Sequence, residues 1–216
     1  MTPSGASAPA LIVIAKEPAP GRAKTRLSPP LTPEGAAALA EAALVDTLAA
    51  VLATPARRRV VVLDGRAGPW LPAGLEVLSQ RGGALEERLG AAFTDVGEGA
   101  LLVGMDTPQV TPALLELGLR MLATPGIDAV LGPAPDGGYW AIGLRVPDPA
   151  AFTDVRMSRS DTGAAQRTRL AALGLVAAEL PALRDVDTFA DATAVAALAP
   201  GTRFAAAVAE ATREAA

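Results

Sequence analysis

LIVIAKEPAPGRAKTRL, residues 11–27, begins with an apolar run and contains four of the 19 Lys and Arg residues of the chain. Its five opening residues form a continuous apolar run, which predicts a buried strand. A loop punctuated by proline and glycine follows at once. Beyond it, an Ala/Leu-rich segment predicts a helix over residues 33–53, with Thr32 as its N-cap and proline in its first turn. Strand, loop and helix in this order predict a β–α unit.

The same alternation continues along the chain, and it predicts an α/β protein with a largely parallel sheet. Further strands are predicted at residues 60–63, 75–78, 100–103, 129–131, 139–144 and 176–180. Further helices are predicted at residues 84–93, 112–122 and 162–173 and in the Ala-rich C-terminal part. The length of 216 residues falls in the range of one domain, so we expect a single domain over residues 1–216.

The chain contains no histidine and no cysteine. This excludes Ser-His-Asp and Cys-His catalysis, Cys/His zinc sites and iron–sulfur clusters. Acid–base chemistry then depends on Asp, Glu, Lys or Tyr. Any bound metal would take oxygen ligands, which favours Mg²⁺ or Mn²⁺, with calcium as a further hard cation.

The formal net charge of −4 gives no overall attraction for nucleic acid or an anionic membrane. We therefore expect neither as a partner, and any anion site must be local. The sequence shows no uninterrupted apolar run of the length that a membrane span needs. A cytoplasmic location is the expectation.

The loop over residues 16–27 concentrates four cations directly after the first strand. Phosphate groups require such charge together with a backbone that glycine allows to approach closely. We predict that nucleotide phosphates bind here; the candidate residues are Lys16, Gly21, Arg22, Lys24, Thr25 and Arg26. The loop is not a Walker A motif, because Pro18 and Ala23 stand where that pattern requires glycine. A solvated basic loop is the alternative.

Two acidic segments are candidates for metal binding. Asp106 follows the apolar strand at residues 100–103, at the end of which ligands collect in open α/β sheets. An Asx turn before Pro108 is the alternative for this aspartate. Asp185 and Asp187 lie on one side of an extended segment, so one of them can complete a site with Asp106. The alternative is that Asp187 or Thr188 caps the next helix.

A third segment, residues 132–140, places Asp136 beside two glycines, the only tyrosine and one of the two tryptophans. Gly137 and Gly138 permit close approach to a ligand, and an aromatic side chain can pack against a sugar or polyol. We predict acceptor binding by Gly137, Gly138, Tyr139 and Trp140, with Asp136 positioning or deprotonating the acceptor hydroxyl. An ordinary Asp-Gly hairpin turn is the alternative.

Taken in order, these segments resemble a family of GT-A-type nucleotide-diphospho-sugar transferases that includes arsenosugar-biosynthesis glycosyltransferases. The matching motifs are K-x-P-x-P-G-x-x-K-T-R-L at residues 16–27, G-x-D-x-P at 104–108, G-P-x-x-D-G-G-Y at 132–139 and D-x-D-T at 185–188. Molybdenum-cofactor and 2-phospholactate guanylyltransferases belong to the same superfamily. Two departures stand out: Gly104 replaces the first aspartate of the usual Asp-x-Asp pair, and Met157-Ser158 replaces a frequent Trp-Ser.

The resemblance implies a three-layer α/β/α sandwich with a mostly parallel central sheet, the Rossmann-like GT-A fold. It implies that the loop holds the phosphates, that Asp106 binds Mg²⁺ or Mn²⁺ and that Asp187 is a second candidate ligand. We further expect Lys24 and Asp136 to take part in catalysis. The expected substrates are a nucleotide sugar, or alternatively a nucleoside triphosphate, and a small-molecule acceptor. Sugar transfer is the preferred reaction and nucleotidyl transfer the alternative. A nucleotide-binding module without turnover is a third possibility.

Overall fold

The structure, a computed structural model, describes residues 8–214. Its strands are β1 (Ala10–Lys16), β2 (Arg59–Asp64), β3 (Glu76–Ser79), β4 (Ala100–Gly104), β5 (Ala129–Pro133), β6 (Tyr139–Leu144) and β7 (Ala177–Glu179). Its helices are α1 (Pro33–Ala53), α2 (Leu85–Val96), α3 (Pro112–Ala123), α4 (Thr162–Ala172), α5 (Phe189–Leu198) and α6 (Arg203–Glu214). Short 3-10 turns lie at Thr25–Leu27 and Pro149–Phe152.

The strands form one seven-stranded sheet in the order β3-β2-β1-β4-β6-β5-β7. Every neighbouring pair is parallel except the two that involve β6, which runs antiparallel between β4 and β5. The predicted mostly parallel α/β sheet is thereby confirmed. Because β6 is reversed, its first residues lie at the same edge as the carboxyl ends of the parallel strands. The polar segments that follow β1 and β4 therefore meet the β5–β6 hairpin at one edge of the sheet.

Alternate residues of β1 are buried on opposite faces of the sheet. Leu11 and Val13 pack into a core with residues of α1 and α3. Ala10 and Ile12 pack into a second core with residues of α2 and α4. All four are fully buried. A strand covered on both faces must be apolar at every position, and this accounts for the continuous run in the sequence. The three layers of the predicted sandwich follow from it.

Helix α1 is long and apolar enough to cross a membrane by length and composition alone. Of its most apolar stretch of 18 residues, 56% is buried inside the protein, as in a core helix. Thr32 accepts a hydrogen bond from the Gly35 amide at 3.1 Å and caps the helix as predicted. A cytoplasmic location and a single domain stay predictions.

A third apolar cluster joins the parts of the chain that carry the candidate site. Leu27, at the end of the basic loop, and Val186, between two aspartates, are both buried in it. Leu31 and side chains of α1, α5 and α6 form the rest of the cluster, including the fully buried Phe204. Burial of Leu27 and Val186 fixes the backbone on which the flanking charged residues stand.

The predicted elements differ from the observed ones mainly at their ends. Helix α2 runs three residues beyond the predicted end at Phe93 and stops at Gly97, which adopts a φ of 73°. Glycine reaches this left-handed conformation at little cost and so terminates the helix. The predicted loop at residues 16–27 contains a 3-10 turn at Thr25–Leu27. The predicted hairpin before residues 139–144 is confirmed by the antiparallel pairing of β5 and β6.

A capping box starts α5 directly after the acidic segment at residues 185–187. Thr188 is the N-cap, and its amide and hydroxyl both donate to Asp191 Oδ2, at 2.9 and 2.7 Å. Arg184 also donates to Asp191, at 2.8 Å. Burial disfavours the charged carboxylate, but the hydrogen bonds from Thr188 and Arg184 outweigh it and lower the pKa of Asp191. Of the two predicted caps, Thr188 is therefore the N-cap of α5. The Asp187 side chain pairs instead with Arg26.

We expect Asp191→Ala to lower the free energy of unfolding at pH 7 by about 1 kcal/mol, because it removes the capping box. The pKa of Asp191 is lower in the folded state than in the unfolded state, where it is about 3.9. Its contribution is thus present above that value and is lost as the pH falls through the folded pKa. Urea denaturation from pH 7 to pH 3 measures this difference.

The matched control is Asp161→Ala, since Asp161 is the N-cap of α4 but makes no side-chain capping bond. This control should change stability by less than about 0.5 kcal/mol. An equal loss in the two variants, or a difference between wild type and Asp191→Ala that grows on acidification, would contradict the capping role.

Candidate active site

The predicted site segments converge at the carboxyl edge of the sheet. A cavity of about 550 Å³ runs along this edge, and a second one of about 270 Å³ adjoins it beneath the basic loop. Both cavities are lined by Lys16, Arg26, Met105, Asp106 and Asp187. The larger volume falls in the range of small-molecule sites. The structure thus brings together the basic loop, the residue after β4 and the acidic segment before α5.

Lys24 lies at the centre of this junction. Its Nζ is 2.8 Å from Asp106 Oδ2 and also donates to the Val186 carbonyl. The Lys24 side chain is only 10% exposed, and its backbone has a φ of 52°. Lys24 is therefore not a solvated residue of the loop, although its neighbours Thr25 and Arg26 are exposed. Its charge is buried against Asp106, because an ammonium removed from water requires a counter-ion.

The other candidate phosphate ligands are more accessible. Arg26 pairs with Asp187 at 2.5 Å, and 68% of the Arg26 side chain is exposed. Arg22 lies between Glu17 and Asp64, at 3.5 and 3.4 Å. Lys16 and Thr25 line the smaller cavity and are exposed, whereas Gly21, with a φ of 72°, turns the loop and lines neither cavity. Binding of phosphate by these residues stays a prediction.

Asp106 has the features expected of a metal ligand. Its Oδ1 is buried and accepts no hydrogen bond within residues 8–214, whereas Oδ2 pairs with Lys24. No group of three Asp or Glu side chains within that range is arranged to hold a metal ion. Mg²⁺ is usually held by one or two carboxylates, with substrate phosphates and water completing its coordination shell. The residues therefore fit a metal that enters together with a nucleotide.

Asp185 is an additional carboxylate of the site. The sequence pattern predicts that Asp185 or Asp187 completes a site with Asp106. Asp185 and Asp187 both line the larger cavity, while Val186 between them points into the core, as strand-like alternation predicts. Burial raises the pKa of Asp185, and the negative charge of Asp136 raises it further. The charge of Lys24 opposes these effects. Asp136 and Asp185 therefore face the larger cavity from different segments of the chain.

The β5–β6 hairpin is held tightly against the segment before α4. Gly137 has a φ of 91°, and a Cβ atom there would lie 1.8 Å from the Ser160 carbonyl oxygen. The Gly137 carbonyl accepts from the Gly163 amide at 2.8 Å. Asp136 Oδ1 accepts from the Gly138 amide at 2.8 Å, so the turn alternative for Asp136 describes part of its role. The same side chain also lines the larger cavity, together with Gly138.

The two aromatic residues after the hairpin have different surroundings. Tyr139 lines the cavity and donates its hydroxyl hydrogen to Gln166 Oε1 at 3.1 Å. Burial, followed by the charge of Glu86, raises the pKa of Tyr139, so the phenol stays protonated. Trp140 is only 3% exposed, and its indole N–H donates to the Pro181 carbonyl at 3.1 Å. Trp140 is therefore mainly a core residue, and acceptor binding by this pair stays a prediction.

Gln80 and Arg88 also line the larger cavity, and the sequence motifs did not include them. Gln80 follows β3 directly. Its backbone N–H donates to the Leu63 carbonyl at 2.8 Å and continues the pairing of β3 with β2. Arg88 lies in the first turns of α2, and its Nη1 donates to Gln80 Oε1 at 3.1 Å. A polar residue after a parallel strand is the signal that could have pointed to Gln80.

Solved structures with the same fold include three informative neighbours. A protein from Desulfovibrio desulfuricans G20, proposed to be a nucleotide-diphospho-sugar transferase, matches with a TM-score of 0.84 and 26% identity over 97% of each chain. Rv0371c from Mycobacterium tuberculosis H37Rv, in complex with manganese, matches with a TM-score of 0.51 and 22% identity over 88% of this chain and 98% of its own. The third is 2-C-methyl-D-erythritol 4-phosphate cytidylyltransferase from Thermus thermophilus, with a TM-score of 0.51 and 18% identity over 95% and 99%.

These neighbours confirm the Rossmann-like nucleotide-diphospho-sugar transferase fold. The Desulfovibrio desulfuricans structure also supports a nucleotide-utilising transferase in the broad sense. The last two show the likeness of the fold alone. No curated protein matches the chain in sequence. The family model of DUF2064, described as "Uncharacterized protein conserved in bacteria", matches residues 38–159, which is more than half of the chain. The chain therefore belongs to the DUF2064 family and has the fold of nucleotide-diphospho-sugar transferases.

Proposed function

We propose that this protein is a metal-dependent transferase that moves a sugar from a nucleotide-sugar donor to a small acceptor. The observation that carries the proposal is the shared edge of the sheet, where one cavity is lined by the basic loop, by Asp106 and by the carboxylates of Asp136 and Asp185. The likeness to the Desulfovibrio desulfuricans structure supports sugar transfer in particular.

The basic loop would bind the diphosphate of the donor. Lys24 and Arg26 both line the smaller cavity, and each is paired with an aspartate. A phosphate oxygen entering there can replace the carboxylate as their hydrogen-bond acceptor. The charge that develops on the departing nucleoside diphosphate is then neutralised by groups that are in position before the reaction.

Asp106 and Asp187 would hold Mg²⁺ or Mn²⁺ next to these phosphates, with Asp185 as a further carboxylate within the same segment. Oxygen ligands of this kind suit a hard divalent cation, and the unpartnered Oδ1 of Asp106 provides one of them. The metal, when bound, supplies positive charge that stabilises the leaving group. The manganese complex of Rv0371c supports a divalent metal in this fold.

The acceptor would bind on the hairpin side of the cavity. Asp136 has one carboxylate oxygen tied to the Gly138 amide, which orients its other oxygen as a proton acceptor for a hydroxyl group. Tyr139, held by Gln166 and protonated, can donate or accept a hydrogen bond but does not supply a phenolate. This division puts leaving-group stabilisation at the loop and acceptor activation at the hairpin.

Nucleotidyl transfer is the second candidate, and one observation favours it. The smaller cavity is lined by Lys16, Arg22, Lys24 and Arg26. Four cations around one site suit a triphosphate at least as well as a diphosphate. In this reaction an acceptor oxygen would attack the α-phosphate of a nucleoside triphosphate and release pyrophosphate.

Lys24→Met tests the exchange of partners at the loop, and we expect it to change two affinities in opposite directions. Nucleotide binding should weaken about tenfold to a hundredfold, the range of a lost charge-assisted contact. Mn²⁺ binding without nucleotide should become stronger, because Asp106 loses its internal counter-ion. Calorimetry measures the first affinity and electron paramagnetic resonance of free Mn²⁺ the second.

Arg120→Met is the control for that test, since Arg120 is an exposed residue of α3 that pairs with Glu116, away from both cavities. It should leave both affinities unchanged. Unaltered nucleotide affinity in Lys24→Met, Arg22→Met and Arg26→Met alike would remove the phosphate-binding proposal for the loop.

Asp106→Asn keeps the shape of the side chain but removes its charge, and we expect it to abolish metal-dependent turnover. A neutral amide is a poorer ligand for a hard cation, so Mn²⁺ affinity should fall as well. Asp64→Asn is the control, because Asp64 ends β2, which β1 separates from β4, and is exposed to the same degree, 37% against 36% for Asp106. Full activity of Asp106→Asn at low metal concentration would show that the metal lies elsewhere.

The nature of the transferred group is decided by product analysis. We expect incubation with nucleotide sugars and candidate hydroxyl acceptors to release a nucleoside diphosphate and to add a sugar mass to the acceptor. Parallel incubations use nucleoside triphosphates, and mass spectrometry identifies the products. Release of pyrophosphate with a nucleotide attached to the acceptor would establish the second candidate instead.

A further inference from the structure

We propose that Gln166 positions the Tyr139 hydroxyl so that it only accepts hydrogen bonds from a bound substrate, and that the acceptor substrate is accordingly a neutral polyhydroxyl compound. The inference rests on the proposed function, since it assumes that an acceptor binds on the hairpin side of the larger cavity. It extends that function by assigning a role to Gln166, a residue of α4, and by naming the chemical class of the acceptor.

The side-chain amide of Gln166 is held in one orientation. Gln166 is fully buried, and its Nε2 donates to the Ala151 carbonyl at 2.8 Å. Ala151 is itself fully buried, in the 3-10 turn at Pro149–Phe152. A flipped amide would bring Oε1 against this carbonyl oxygen, and two hydrogen-bond acceptors at that distance repel each other. Gln166 Oε1 therefore faces Tyr139 rather than Ala151.

The orientation of this amide fixes the direction of the hydrogen bond between Gln166 and Tyr139. An amide oxygen can only accept, so the phenol hydrogen points to Gln166 Oε1, 3.1 Å away. Met157 Sδ, 3.6 Å from the hydroxyl oxygen, is a weaker acceptor and does not compete for this hydrogen. Burial raises the pKa of Tyr139, so the phenol also keeps its hydrogen at neutral pH. A ligand can then reach only the lone pairs of the phenol oxygen.

Other hydrogen-bond acceptors line the larger cavity together with Tyr139. Asp136 and Asp185 are both lining residues, and the charge of Asp136 acts on Asp185 across the space between them. One oxygen of Asp136 is engaged by the Gly138 amide at 2.8 Å, which leaves the other for a ligand. A phenol oxygen and two carboxylates all require a partner that carries hydrogen. This part of the cavity therefore suits hydroxyl groups.

Arg159 is a cation that also lines the larger cavity. It is exposed and pairs with Asp161 at 3.1 Å, so its charge is compensated by a residue of its own segment. An acceptor that contacts Tyr139 and Asp136 thus gains little from a negative charge of its own. The neighbouring Ser158 and Ser160 also line the cavity, and their hydroxyl groups can donate or accept.

The acceptor needs at least two hydroxyl groups under this arrangement. The oxygen of one attacks the anomeric carbon of the donor sugar, its proton passes to Asp136, and the nucleoside diphosphate departs. The second hydroxyl donates to the phenol oxygen of Tyr139 and orients the first. A carboxylate or phosphate at the second position would face a lone pair and two negative charges. An ammonium group would pair with the carboxylates, but its nitrogen has no lone pair for the attack.

The test uses the fact that Tyr139 is the only tyrosine of the chain. Protein labelled with ¹³C at the ζ carbon of tyrosine gives one nuclear magnetic resonance signal, that of Tyr139. Donation of a hydrogen bond by the phenol moves this signal to higher frequency, and acceptance of one moves it to lower frequency. The probes are glycerol, glycerate and glycerol 3-phosphate, which share a hydroxyl-bearing carbon chain and differ in charge. Each is added with Mg²⁺ and, in turn, ADP, CDP, GDP and UDP.

Glycerol should move the wild-type signal to lower frequency with at least one of the nucleotides, because the phenol oxygen accepts its hydrogen bond. Glycerate and glycerol 3-phosphate should require concentrations about tenfold or more higher. Tyr139→Phe keeps the ring but lacks the oxygen, and it should weaken glycerol binding about threefold to tenfold in ligand-observed spectra. Its nucleotide affinity should not change.

Gln166→Met isolates the role of the amide, since methionine keeps the length of the side chain but provides no strong acceptor. The signal of the ligand-free variant should lie at lower frequency than that of the wild type, because the phenol no longer donates to Gln166. Thr168→Ala is the control, since Thr168 is exposed on the same helix and bonds only to the Ala164 carbonyl within it. It should keep the wild-type signal. If Gln166→Met does not fold, the wild-type shifts and Tyr139→Phe decide the matter.

Several outcomes would overturn the inference while leaving the proposed function intact. These are a shift to higher frequency on addition of glycerol, no shift with any of the four nucleotides, tighter binding of glycerate or glycerol 3-phosphate than of glycerol, or an unaltered signal in folded Gln166→Met. Product analysis tests the transfer reaction separately. The expected shifts without any transferred sugar would overturn the proposed function alone, and the cavity would then be a polyol-binding site.

Discussion

The ion pair between Lys24 and Asp106 is the constraint on which the candidate site depends. It joins the loop after β1 to the end of β4, and through the Val186 carbonyl it also reaches the segment before α5. The Val186 amide donates to the Asp106 carbonyl at 3.0 Å, which closes this junction. Burial of an ammonium group without such partners would cost free energy. Three segments that are distant in sequence are therefore held in one arrangement.

This arrangement couples the two ligands that the proposed function requires. Asp106 and Asp187 are each neutralised by a cation of the loop, so a metal ion alone meets carboxylates whose charge is already compensated. Phosphates that draw Lys24 and Arg26 away release these carboxylates. Each ligand should thereby favour binding of the other, since coupling between two sites is reciprocal. The protein's acidic net charge is compatible with anion binding because four cations are clustered in the loop after β1.

Much of the fold could be predicted from local patterns. The continuous apolar run of β1, the capped helix α1 and the hairpin before β6 each carry their own signal within a few residues. The carboxyl edge was predictable as well, because parallel strands put their following loops on one side. The partner of Lys24 could not be predicted, since Asp106 is far away in sequence. Trp140 shows a second limit: an aromatic residue beside two glycines predicts a ligand surface, yet folding buries it.

The basic loop is easier to recognise in the sequence than the cavity residues Gln80 and Arg88, and this difference has a physical basis. The loop at residues 16–27 stands out in the sequence because it departs from the composition around it, with cations and glycine after an apolar strand. Gln80 and Arg88 belong to ordinary polar sequence, and their partnership arises only when β3 ends beside the first turns of α2. A cluster of cations in one loop is visible within a few residues, whereas two cavity residues on different elements meet only after folding. Residues such as Gln80 and Arg88 therefore leave a weaker trace in a single sequence than the cations of the loop.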